Sequence, residues 1–161
     1  METLPNLKRE FKQEYETTKR FIDSFPDGKN DYAPHEKSMK MMPLATHIAW
    51  PAMILNTSEL DFAKGDYQPT ILNSKEELQK KLEDDYNAGK EALENVDESA
   101  LDPKWTMRMG DQVLAEWSKY GAIRHSLDQI THHRAQLGVY YRLNDIAVPG
   151  SYGPSADEQS F

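Results

Sequence analysis

Apolar residues recur at three- and four-residue spacing in four stretches of the chain, and that period predicts helices with one buried face. In the first stretch Leu7, Phe11, Tyr15, Thr18, Ile22 and Phe25 form a single stripe, which predicts a helix over 4–25. FPDGKNDYAP ends it with proline, Asp-Gly and Asn-Asp turn chemistry. The second stretch, 38–60, carries Met41, Leu44, Ala45, Ile48, Ala49, Ala52 and Ile54 on a broad face. Pro43 is absorbed in an early turn. Pro51 removes a ladder hydrogen bond and is expected to kink or break this helix just after THIAW.

The third helix, 74–95, opens on Ser74 and Glu77, spaced as a capping box, and continues on Leu78, Leu82, Tyr86 and Leu93, with Gly89 beside them. DPKWTMRMGDQVLAEW alternates poorly, and its Met-Gly-Asp predicts a tight turn with at most a short hairpin. The fourth helix, 112–142, is expected to start between Gln112 and Glu116. The turn-rich tail from 143 to 161 reads as extended chain on the surface. Long helices with little strand signal predict an all-α four-helix bundle. DFAKGDYQPTILN is long enough to cross one end of the bundle between helices two and three. No repeat or linker-like run divides residues 1–161, so one domain is expected.

Composition narrows the chemistry. The chain has no cysteine, which excludes a cysteine nucleophile and restricts any metal site to histidine, carboxylate or amide ligands. Its 27 acidic and 19 basic residues give a net charge of −8, with no cluster of bases, so nucleic acid is not an expected partner. The N-terminal stretch has no apolar signal core, and no apolar run approaches the ~18 residues of a membrane span. A cytoplasmic protein without membrane contact is the expectation.

Three of the five histidines, His125, His132 and His133, fall in the last helix. On a helical wheel Ile123, Leu127, Ile130, Leu137 and Tyr141 define the core face, and His133 lies about 80° from its centre. Gln129 shares that flank one turn earlier, whereas His132 points away. Residues four apart rise ~6 Å and can converge on one ion, but eight residues rise ~12 Å, which counts against His125 and His133 sharing one. Gln129 and His133 are thus the plausible pair on this helix, and two ligands do not make a site. His47, on the second stripe between Leu44 and Ile48, is placed to meet His133 across the core. Arg134 falls on the apolar face, which demands a buried partner. Glu14, Glu16 and Asp61 are the candidates, and a structural ion pair is the favoured reading. Trp50, Trp105 and Trp117 are expected to fill the core or its ends, with Trp50 close enough to His47 to line a pocket.

KSMKMMPLATHIAWPAMILNTSELDF, WTMRMGDQVL and HHRAQLGVYYRLNDIAVPGSYGPSADE together resemble the DinB family over nearly the whole chain. Relative to the family pattern, Ala135 replaces a glycine and Tyr141 a leucine. The resemblance implies a bundle of up-down-down-up order, frequent homodimers, and a divalent metal ion (Zn, Ni, Fe or Mn) held by one histidine from helix two and two from the last helix. Carried over, those positions are His47, Gln129 and His133. Gln129 departs from the pattern, and a neutral amide oxygen should weaken Zn²⁺ binding and favour harder ions. Similar proteins include bacillithiol- or mycothiol-dependent transferases and isomerases. The implied substrates are therefore a small molecule and a low-molecular-weight thiol, with metal-assisted hydrolysis as a sister reaction. The alternative is a non-catalytic bundle or small-ligand binder whose metal site has degraded. No general base is singled out by the sequence.

Overall fold

A computed structural model describes residues 3–47 and 51–159. In chain order it contains α1 (Thr3–Asp23), α2 (Met41–Ala45), α3 (Pro51–Asn56), β1 (Glu59–Asp61), α4 (Lys75–Glu94), β2 (Lys104–Met109), β3 (Gln112–Ser118) and α5 (Lys119–Arg142). Short 3-10 turns follow β1 at Phe62–Lys64 and precede β2 at Glu98–Leu101. Five helices with a three-stranded mixed sheet make an α+β protein, which corrects the expected all-α four-helix bundle.

Two stretches account for the correction. In place of the single helix expected over 38–60, the described residues form two short helices, α2 ending at Ala45 and α3 whose first described residue is Pro51, where a kink or break was expected. The expected burial of Ile48 and Ala49 and the pocket role of Trp50 lie outside the described residues. The second stretch is 112–118, expected as the start of the last helix. It is instead β3, antiparallel to β2 with Trp105 opposite Trp117 and a bulge between Met107 and Arg108. Gly110, at φ 58°, makes the tight turn between them. The long crossover is the α4 connection from β1 to β2, which pair in parallel. Asp61 locks this corner: its Oδ1 accepts from the Gly110 N–H at 2.9 Å and the Ala63 N–H at 3.0 Å. Those donors hold its carboxyl below the usual range.

The helices start where short polar side chains supply caps. Ser74 Oγ accepts from the Glu77 N–H at 3.2 Å, while Glu77 Oε2 accepts from the Asn73 N–H, one residue before the expected position. Ser118 caps α5 by accepting from the Gly121 N–H at 3.1 Å. α4 packs on α1 through Tyr86, stacked on Tyr15 at 3.8 Å and tilted against Phe11 at 5.3 Å. Gly89 permits this approach, since a Cβ there would lie 2.6 Å from Phe11 Cζ and 2.8 Å from Pro51 Cγ. Gly89→Ala should therefore cost about 1–3 kcal/mol through overpacking despite its better helix propensity. Thermal denaturation checks this; a stabilised variant would show that α4 shifts freely.

Tail residues 143–159 form no helix or strand, yet four side chains clasp them to the body. Asp157 accepts from Arg142 and from the Val148 N–H at 2.9 Å. Glu158 accepts from the Gly150 N–H at 2.8 Å and pairs with Arg20. Ser155 Oγ donates to the Val148 carbonyl at 2.6 Å, and Tyr152 reaches the buried Arg134 at 2.9 Å. The YGPSADE stretch thus has a structural job at each of these positions. Among the described residues no helix is long and apolar enough to cross a membrane.

Candidate functional site

α5 positions most of the polar groups of the site. Ile123, Leu127, Ile130, Leu137 and Tyr141 bury one face, and the flank beside it carries His125, Gln129 and His133. His47 follows α2, whose Met41, Met42, Leu44 and Ala45 are buried and anchor it against α5. The rings of His47 and His133 lie 4.0 Å apart, centroid to centroid, tilted by 38°. Gln129 is exposed and lines a cavity together with His47. His132 is exposed and meets His133 edge-on at 5.1 Å.

Hydrogen bonds fix which nitrogen each ring presents. His47 Nδ1 lies 3.1 Å from the Pro43 carbonyl, which only accepts, so Nδ1 carries the proton and Nε2 keeps its lone pair. Gln136 Nε2 lies 3.0 Å from His132 Nε2, which turns its amide oxygen toward His133 Nδ1 at 3.4 Å. His133 then also presents Nε2. A carbonyl-oriented imidazole with a free Nε2 is the form in which histidine ligates a metal. Bonds of ~2.1 Å at 90–109° would place the two centroids about 4.6–5.3 Å apart, so the rings would open by roughly an ångström to share an ion. Among the described residues no three His, Asp or Glu side chains gather as a metal-holding group. The donors brought into contact are the two imidazoles; Gln129 joins them only as a residue that shares a cavity lining with His47.

Burial first, then the proximity of His47, pushes His133 down to about 4. Its unfolded value of 6.5 lies higher, so between those values the unfolded chain binds more protons. Stability of chelator-treated protein should therefore fall as pH drops from 6.5 toward 4. A histidine NMR titration should show His133 still neutral at pH 5. A midpoint near 6.5 would contradict this environment.

Besides a gap of about 10 Å³ that it shares with His133, His47 lines two larger cavities. The first, about 310 Å³, is walled on the sheet side by Trp105, Met107 and Trp117 and on the crossover side by Ile54, Phe62 and Tyr67. α5 contributes Ala122, His125, Ser126, Gln129 and Ile130. The second, about 620 Å³, mixes apolar side chains (Met39, Met42, Ile71 and Leu72) with polar ones (Asp31, Lys40, Thr46 and Asn73), and His47 and Tyr67 belong to both. Trp105 fills the core and Trp117 packs at its edge, as expected of residues placed in the core or at its ends, but sequence reasoning missed that the two also wall a cavity. Two tryptophans flanking the Gly110 turn, five residues before it and seven after, are the signal that would have paired them once the bulge is allowed for. His125, set aside as a ligand, lines the first cavity and stacks on Trp117 at 4.9 Å.

No protein-family model matches the sequence, and no curated protein matches it. Solved structures do. A DinB-like protein from Bacillus subtilis aligns over 96% of this chain and 99% of its own, with a TM-score of 0.68 at 16% identity. A candidate member of the DinB family from Exiguobacterium sibiricum aligns over 90% of this chain and 93% of its own, with a TM-score of 0.66 at 18% identity. The chain has the fold of these DinB-like proteins.

Proposed function

We propose that the protein is a cytoplasmic DinB-family enzyme that uses a divalent metal ion held by His47 and His133, with Gln129 as a weak third donor. The reaction is transfer of a low-molecular-weight thiol, of bacillithiol type, to a small electrophile. The ring contact between His47 and His133, with both Nδ1 atoms engaged, carries the reading. A bound divalent ion would supply a Lewis acid that lowers a thiol's pKa toward neutrality. The chain's own residues orient and enclose. The Pro43 carbonyl and Gln136 amide hold the imidazoles, Asp31, Lys40, Thr46 and Asn73 in the second cavity offer hydrogen bonds to a hydrophilic thiol, and the aromatic cavity keeps water from the electrophile.

With 1-chloro-2,4-dinitrobenzene the sulfur–carbon bond forms, the carbon–chlorine bond breaks, and chloride and the thiol proton leave. Untagged protein should catalyse this conjugation, lose it on chelation, and regain it with Zn²⁺, Ni²⁺, Fe²⁺ or Mn²⁺. Activity indifferent to chelator and to His47→Ala would overturn the reading. A second reading, a small-ligand binder with a degraded site, is favoured by Gln129 alone; metal-free protein that binds ligand but never conjugates would select it. A homodimer belongs to the same proposal, and light scattering should give twice the 18.5 kDa chain mass.

A further inference from the structure

The first cavity is chemically two-sided. Trp105, Trp117 and His125 form a continuous run of near-parallel rings, with centroids 6.4 Å and 4.9 Å apart and interplanar angles of 20° and 22°. Trp105 is held in place from behind, its Nε1–H donating to Thr57 Oγ1 at 3.0 Å. Phe62 and Tyr67 add an edge-to-face pair at 6.1 Å and 85°. Polar atoms come from His47 and from α5. His125 and Gln129 sit one turn apart, with Gln129 on the exposed side, and Ser126 between them spends its hydroxyl hydrogen on the Ile123 carbonyl at 2.8 Å.

Among the described residues no Asp, Glu, Lys or Arg lines this cavity. In the metal-free protein a charged occupant would lose hydration with no ionic partner in return, which costs more than the apolar wall gives back. A flat ring suits the stacked wall, since offset aromatic contacts add to area burial. The volume of about 310 Å³ sits at the small end of ligand pockets, which run from about 300 to 1,000 Å³.

We infer that this cavity binds a small, uncharged aromatic molecule, with its ring against the Trp105–Trp117–His125 wall and a single polar group toward the His125 and Gln129 edge. As a substrate class this rests on the transferase reading, with the aromatic compound as the electrophile. As a binding site it does not, because the cavity walls need no metal.

The test uses chelator-treated protein and three probes of different chemistry: 1-naphthol, naphthalene-1-sulfonate and cyclohexanol. Calorimetry should show 1-naphthol bound one per chain, with the indole resonances of Trp105 and Trp117 shifted. The sulfonate and cyclohexanol should each bind at least about tenfold more weakly. Met107→Trp, which fills the cavity, should weaken 1-naphthol by about tenfold or more, while Val113→Trp, an exposed position outside the lining, should leave it unchanged. Gln129→Trp blocks the exposed edge without loading the core, so it decides the matter if Met107→Trp folds poorly. No 1-naphthol binding, equal binding of all three probes, or binding indifferent to Met107→Trp and Gln129→Trp would overturn the inference. Binding of 1-naphthol without any metal uptake would uphold it while removing the metal reading.

Discussion

Arg134→Met should lower the unfolding free energy by about 3–5 kcal/mol, a large share of the roughly 5–15 kcal/mol of a typical domain. Arg134 and Glu14 are both buried, with side-chain exposures of 3% and 5% and Nη1 2.7 Å from Oε2. That oxygen has no hydrogen-bond geometry to any described residue, so its charge depends on the ion pair. Oε1 accepts from the Tyr152 hydroxyl at 2.8 Å, and Arg134 also donates to Thr18 Oγ1 at 3.0 Å and to Tyr152 at 2.9 Å. Removing the guanidinium leaves a carboxylate in a dry interior and loosens the tail at Tyr152. The double variant Arg134→Met/Glu14→Met should recover most of the loss, because no unpaired charge remains. Urea denaturation of the single and double variants measures this. A single-variant loss below about 1 kcal/mol would show that water reaches Glu14.

That ion pair was half legible in the sequence. An arginine on the core face of the last helix demands a buried acid, and Glu14 was one of three candidates. Of the other two, Glu16 is exposed near Lys12, and Asp61 spends its carboxylate on the Gly110 turn. The long helices α1, α4 and α5 were legible because their apolar stripes repeat over many turns. The sheet was not. β3 is mostly solvent-facing, with Val113 51% and Leu114 47% exposed, so its apolar residues mark no buried face and blend into the helix that follows. β1 has only three residues, too short to show a period. In the second stretch both prolines were legible, Pro43 absorbed within α2 and Pro51 at the division, but the spacing alone suggested one kinked helix rather than two short ones. The His47–His133 contact followed from placing two stripes face to face. The aromatic cavity did not, because it needs the sheet.

Gln129→His should tighten Zn²⁺ binding by roughly tenfold or more, since a third imidazole replaces a neutral amide oxygen. The position is favourable: Gln129 lines the cavity with His47 and lies one turn before His133 on α5, a rise of ~6 Å that lets both reach one ion. The exposed site should accept the ring with little change in stability. Competition against a chromophoric chelator reads the affinity directly. Unchanged or weaker binding would mean that Gln129 does not face the ion, and would leave only two ligands.

The proposed metal site depends on His47 and His133 sharing one divalent ion. The direct measurement is a calorimetric titration of untagged, chelator-stripped protein with Zn²⁺ and Ni²⁺, run beside His47→Ala and His132→Ala. One ion per chain is expected for the parent and for His132→Ala, and none for His47→Ala. Equal isotherms for the parent and His47→Ala would contradict the shared site.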